Sequence, residues 1–165
     1  MAKQCNHYDV AFEKLLRLVR RPYVSVNETR RALHGDESLK SMDFVVYSQT
    51  ASNLLIDVKG RRSFGGRPSW QNWAMQDDID SLLKWEEVFG DGFRSVLVFA
   101  YEVLEASEMD YHPVTWEFQR RRYAFYGVWT REYAQKMRLR SRSWKTVFLG
   151  ANHFQELRQP ILSML

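Results

Sequence analysis

Cysteine is almost absent from this sequence. The single Cys5 can neither close an intrachain disulfide nor supply a Cys-rich zinc site. The histidines His7, His34, His112 and His153 have no spacing that suits a shared metal. No apolar run reaches the roughly 20 residues that cross a bilayer, and the N-terminus lacks the apolar core of a signal peptide. These absences predict a cytoplasmic protein in a reducing compartment, with no membrane partner. Repeats, low-complexity tracts and dividing linkers are also missing. Residues 1–165 therefore read as one domain, long enough for a real hydrophobic core. Residues 60–69 hold Gly65 and Gly66 among Arg61, Arg62 and Arg67. They lack the Gly-Lys-Ser/Thr ending of a phosphate-binding P-loop and read as a mobile basic loop.

What is present is unevenly spread. Aromatic residues make up 15% of the chain, which predicts a dense core, an aromatic binding surface, or both. The net charge is only +4, yet residues 117–145 carry nine Arg/Lys against two Glu, and residues 71–91 carry six acids against Lys84. A basic stretch suggests a phosphate-bearing partner; a solvated basic face is the plain alternative.

Tyr8, Ala11, Phe12, Leu15, Leu16 and Val19 recur at helical spacing and predict a helix with one buried stripe, ended near Pro22. Residues 23–26 alternate like a strand, and 27–40 read as a connection with a short helical turn near 28–33. Strands are predicted over 42–48 and 53–59, joined by a turn at 49–52. A helix follows over 70–89, stopped by Gly90 and Gly92, then a buried strand over 94–103 and an acidic loop over 104–113. Further on, 123–128 and 144–149 read as strands, 132–139 as a helix and 154–165 as a short helix broken near Pro160.

The anomaly in this pattern is the pair of strands over 42–48 and 53–59. Asp43, Asp57 and Lys59 sit within or at the ends of strongly apolar runs, where ionised groups need partners. Residues i and i+2 of a strand share a face, so Asp57 and Lys59 project together while Val58 faces the core, its carbonyl free to act as a ligand. Carboxylates of this kind can hold Mg²⁺ against a phosphate, and a nearby lysine can stabilise charge or orient a water. The plain reading is a salt bridge in which Lys59 neutralises Asp57 or Asp43.

Asp43 opening one strand, Asp57-Val58-Lys59 closing the next, and the order helix, strand, two-stranded hairpin, helix, strand over 8–103 together resemble the PD-(D/E)xK nuclease superfamily. That superfamily includes restriction endonucleases, Holliday-junction resolvases and RecB-type nucleases. Met42 stands where its name has Pro. The resemblance implies an α/β fold: a restriction endonuclease-like core over 8–103, its central mixed sheet flanked by helices in the order α-β-β-β-α-β. A C-terminal α+β, basic-aromatic extension over 104–165 would pack on it. It implies metal ligation by Asp43 and Asp57, with the Val58 carbonyl beside them, and Lys59 as the catalytic lysine. Glu13 fits the acid that members often add from the first helix, although it could simply pair with Arg17 one turn on. Gln76 is the candidate for the glutamine of RecB-like members; Asp80 stands where their tyrosine follows, and Gln71 is its rival.

The expected activity is Mg²⁺-dependent hydrolysis of phosphodiester bonds in nucleic acid, DNA foremost, with Mn²⁺ able to substitute. Arg61, Arg62 and Arg120, Arg121, Arg122 are the expected phosphate contacts, and Arg138, Arg140 and Arg142 could form a basic edge. Cutting both strands of a duplex would call for a homodimer, though no interface is legible. The alternative is an inactive nucleic-acid-binding module of the same fold.

Overall fold

A computed structural model describes residues 6–27 and 29–165. The first helix, α1 (His7–Leu18), buries Ala11, Phe12, Leu15 and Leu16, and the Asn6 side chain caps it by accepting the Tyr8 N–H at 3.1 Å. Strands β1 (Tyr23–Ser25), β2 (Ala32–His34), β3 (Glu37–Leu39), β4 (Phe44–Val46), β5 (Asn53–Arg62) and β6 (Ala74–Met75) follow, then α2 (Gln76–Phe89) and β7 (Phe93–Val103). A 3₁₀ turn (Ala106–Tyr111) leads to β8 (Trp116–Phe118), β9 (Arg121–Trp129) and α3 (Thr130–Lys136). The chain closes with β10 (Arg138–Ser141), β11 (Thr146–Phe148), α4 (Ala151–Leu157), β12 (Gln159–Pro160) and a last 3₁₀ turn (Ile161–Ser163).

Among the described residues the central sheet runs β1-β4-β5-β7-β9-β12, with β8 on the free part of β9. Only β5 and β7 pair in parallel, so the sheet is mixed. The period of two sorts side chains into two cores. Leu54, Ile56 and Val58 of β5 pack with α1, whereas Leu55 packs on the side that holds Ile79 and Leu82 of α2. This is an α/β domain whose mixed sheet is flanked by helices, as expected.

Several elements differ from their sequence reading. Residues 27–40 hold the β2–β3 hairpin rather than a helical turn; Glu28 lies outside the described residues. Strand β5 continues to Arg62, so the first part of the expected loop is strand. Helix α2 begins at Gln76, six residues late. Residues 71–73 are held extended because side chains take their carbonyls: Tyr101 Oη donates to Gln71 O, Tyr133 Oη to Asn72 O, and Arg61 Nη2 to Trp73 O. The buried Asn72 amide also pairs with both backbone groups of Leu149, at 2.7 and 3.1 Å. The C-terminal stretch is not outside the core. Strand β9 is hydrogen-bonded to β7 from Val96–Trp129 to Val103–Arg122. Helix α3 starts and stops earlier than expected and gives way to β10, which with β11 and β6 makes a small second sheet.

Candidate active site

Asp43 is held by its backbone on two sides. Its N–H donates to Ile56 O at 2.8 Å, and its carbonyl accepts the Val26 N–H at 2.8 Å. This puts Asp43 beside Asp57, one step beyond the Phe44–Ile56 pair of the β4–β5 ladder. Asp43 Oδ2 accepts the Val58 N–H at 2.6 Å, and the Asp43 and Asp57 carboxyls are in hydrogen-bond contact. Asp57 and Lys59 lie two apart on β5, so both point to the α2 face. Lys59 Nζ is 2.9 Å from Asp57 Oδ2 and 2.9 Å from Asp78 Oδ2, the latter on the first turn of α2. Asp78 also takes Lys40 Nζ at 2.8 Å and caps α2 by accepting the Met75 N–H at 3.1 Å.

The charges of this cluster are unequal. Burial pushes the Asp57 carboxyl above the usual range, and the Asp78 charge adds to that; Lys59 works against both. Burial would likewise raise Asp78, but Lys59 and Lys40 outweigh it and hold Asp78 below the ordinary value. Burial alone would lower Lys59; Asp57 and Asp78 together overcome it, so the ammonium stays protonated well above neutral pH.

Burial and the Asp78 charge both disfavour an ionised Asp57, and a cation beside Asp43 and Asp57 would relieve that cost. Among the described residues no group of three or more His, Cys, Asp or Glu comes together around a metal position. The set nonetheless suits Mg²⁺, which keeps several waters and takes one or two carboxylates plus substrate oxygens. Asp43 and Asp57 would hold it. In an extended strand the N–H and C=O of one residue project to the same edge, so Val58 also opens its carbonyl toward Asp43.

The other expected residues are elsewhere. Glu13 accepts the Tyr23 hydroxyl at 2.7 Å and pairs with Arg17 at 3.1 Å, on a helix that packs against the opposite face of the sheet. The expectation that Glu13 joins the site is corrected: its helix position flanks the buried stripe, but Tyr23 and Arg17 engage it. The first turn of α1 does reach the site end of β5, where the Tyr8 ring packs against Gly60. The acid on that turn is Asp9, whose Oδ1 is buried. Gln76 bonds Asp80 at 2.9 Å, and Gln71 is exposed, so neither reaches the cluster.

The expected phosphate contacts split between faces. Arg61 shares the Lys59 face, but its guanidinium donates to the Gly60 and Trp73 carbonyls and lies 4.1 Å over the Trp73 ring. It braces residues 70–73. Arg62 points to the α1 face and pairs with Glu102 at 3.0 Å; Arg121 lies 3.7 Å from the same carboxylate. Arg122 pairs with Glu117 at 3.2 Å. Arg120 sits with Gln119 in the two-residue β8–β9 turn, both at positive φ, and is exposed. Asp78 was missed by the sequence reading. Its signal is its place on the buried stripe of α2, beside Ile79 and one turn before Leu82.

No family model matches the chain, and no curated protein matches it by sequence. Its structure is similar to that of the Holliday junction resolvase Hjc of the archaeal hyperthermophile Archaeoglobus fulgidus, with a TM-score of 0.57 and 13% identity. The match covers 96% of this chain and 97% of that one. The chain thus shares the fold of that structure, a restriction endonuclease-like α/β fold with a central mixed sheet.

Proposed function

We propose that this chain is a divalent-metal-dependent nuclease acting on DNA. The observation that carries the reading is the convergence of Asp43, Asp57 and Lys59 on one sheet face. Two carboxyls there share a hydrogen bond, and an ammonium stands beside them. A bound Mg²⁺ or Mn²⁺ would polarise the scissile phosphate and lower the pKa of a water. The chain's own groups do the rest. Asp43 and Asp57 would hold the cation, and Val58 fixes Asp43 through its N–H. Lys59 remains protonated, so it serves as a fixed positive charge and donor toward the phosphoryl oxygens, not as a base. Asp78 keeps Lys59 aimed along the sheet face.

The structural neighbour resolves Holliday junctions. Branched DNA is therefore the first substrate to try here, and paired cuts on such a substrate would take two copies of the chain. One observation favours a second reading, a nucleic-acid-binding module without turnover. Lys59 is already shared by two carboxylates, and no third acid joins the pair among the described residues.

The test is cleavage of a four-way junction, a linear duplex and a single strand with Mg²⁺ or Mn²⁺. Wild type should cut at least one of them. Asp57→Asn and Lys59→Ala should each lose about a hundredfold or more in rate. Glu13→Gln, by contrast, should stay within about twofold, since an exposed pair is worth little. Equal cutting by wild type and Asp57→Asn would overturn the assignment, and metal-independent binding without cutting would leave the module.

A further inference from the structure

The small sheet formed by β6, β10 and β11 builds a second feature beside the site. Its β10–β11 tip is anchored to α2: the Gln76 N–H donates to Lys145 O at 2.9 Å, two residues ahead of Asp78. The tip is itself held in shape. Lys145 is in the left-handed region at φ 51°, its N–H reaches Arg142 O at 3.3 Å, and the Trp144 N–H reaches Ser141 Oγ at 3.2 Å. This fixed turn presents Trp144 to solvent, 74% exposed. An indole so exposed on an ordered turn contributes nothing to the core.

Trp144 is one wall of a cleft of about 230 Å³ whose other walls are Trp73, Met75, Arg140 and Thr146. Thr146 is 4% exposed, and its hydroxyl has no hydrogen-bond partner among the described residues. So little exposed, Thr146 closes the floor of the cleft. A second cleft of about 440 Å³ shares Trp73 and Arg140 with it as lining. Arg140 stands 5.0 Å from the Trp73 ring, which Arg61 also covers from 4.1 Å. The chain over 133–155 carries five Lys/Arg and no acid, so the surroundings favour a polyanion over an acidic or apolar partner's mixed surface.

We infer that this cleft takes an unpaired nucleobase, stacked on Trp144, from a single-stranded segment of the DNA substrate. The inference rests on the nuclease reading and adds which part of the substrate the chain grips. A 230 Å³ cleft is below the range of about 300–1,000 Å³ usual for whole small-molecule sites and suits one ring system. In a duplex the base faces are covered by their neighbours, so only an unpaired or extruded base has a face to offer an indole. Arg140 supplies donors for the base edge or its phosphate, while Lys145 and Arg142 follow the backbone. Because the tip is tied to the start of α2, a strand seated there passes the sheet face that carries Asp57 and Lys59.

The test is binding without turnover, in EDTA, of the full chain to a labelled single strand of about 20 nucleotides and to its perfectly paired duplex, at one fixed salt concentration. Trp144→Ala should weaken the single strand about tenfold or more and the duplex by less than about twofold. Trp144→Phe should recover most of the loss, because a phenyl ring still stacks. Quenching of tryptophan fluorescence by the single strand should shrink in Trp144→Ala. Unchanged single-strand affinity, or equal losses on both substrates, overturns the inference, as does a wild type that binds no single strand. The cleavage assay is separate, so a chain that stacks bases but cuts nothing would fail the nuclease reading alone.

Discussion

Asp57 and Asp78 grip the same ammonium from opposite electrical surroundings. Asp78 has two lysines and a helix N-terminus, and its carboxyl is held low. Asp57 is pushed high by burial and by the Asp78 charge, although Lys59 and the hydrogen bond with Asp43 work against them. Removing their charges should therefore have unequal results. In EDTA, Asp78→Asn should cost about 2–3 kcal/mol, because Lys40 and Lys59 both lose a buried partner. Under the same conditions Asp57→Asn should be neutral or stabilising, since Lys59 keeps Asp78 and a carboxylate that is costly to bury beside Asp78 disappears. Mg²⁺ should raise the melting temperature of wild type and leave that of Asp57→Asn unmoved. Denaturant and thermal unfolding of the three proteins measure this; equal losses in both variants would mark a plain salt-bridge cluster.

At the scale of elements, the contact between α1 and β5 decides which end of the helix meets the site. A Cβ on Gly60 would lie 2.0 Å from Tyr8 Cδ2 and 2.5 Å from its Cγ, so the whole ring would have to move. Gly60→Ala should cost about 1–3 kcal/mol by overpacking, a fall in melting temperature of roughly 3–10 °C for a chain of this size. The penalty should shrink in a Tyr8→Ala background, and a double-mutant cycle reads that coupling directly. Full additivity would show that the strain lies elsewhere. The same scale explains the late start of α2. The apolar spacing from Trp70 is helical enough, but Tyr101, Tyr133, Arg61 and Asn72 compete for the backbone of 71–73 and win because they bury and satisfy it.

Across the whole molecule, the α2 face also carries a buried titratable pair. His112 Nδ1 lies 2.6 Å from Tyr126 Oη, beneath the Trp70 ring, and the Glu108 carboxylate is 3.6 Å from Nε2. Burial lowers the His112 pKa below 6.5, and the pull of Glu108 upward does not reverse it. An imidazole kept neutral in the fold binds its proton first in the unfolded chain. Its share of stability is then complete above about pH 6.5 and is lost as pH falls below that value. The melting temperature should drop between about pH 7.5 and 5.5, and His112→Gln should flatten that limb. A wild-type profile flat over this range would remove His112 as its cause.

Local periodicity by itself determined a good part of this protein. The helical stripe from Tyr8 to Val19 gave α1, and the alternation along β5 put Asp57 and Lys59 on one face with Val58 on the other, because side-chain direction along a strand depends only on neighbours. The register of β4 against β5 brought Asp43 alongside. Everything that depends on which surface meets that face was left to the tertiary structure. Glu13 flanks the right stripe but lies across the sheet; Asp78 comes from a helix whose start is set by buried polar groups far away in sequence. Arg61 and Arg62 are adjacent yet serve opposite faces, and β9 enters the sheet beside β7 although it follows an acidic loop. The reason is physical: a residue's own face follows from its neighbours in the chain, while the partner of that face follows from long-range pairing and from the need to satisfy every buried polar group.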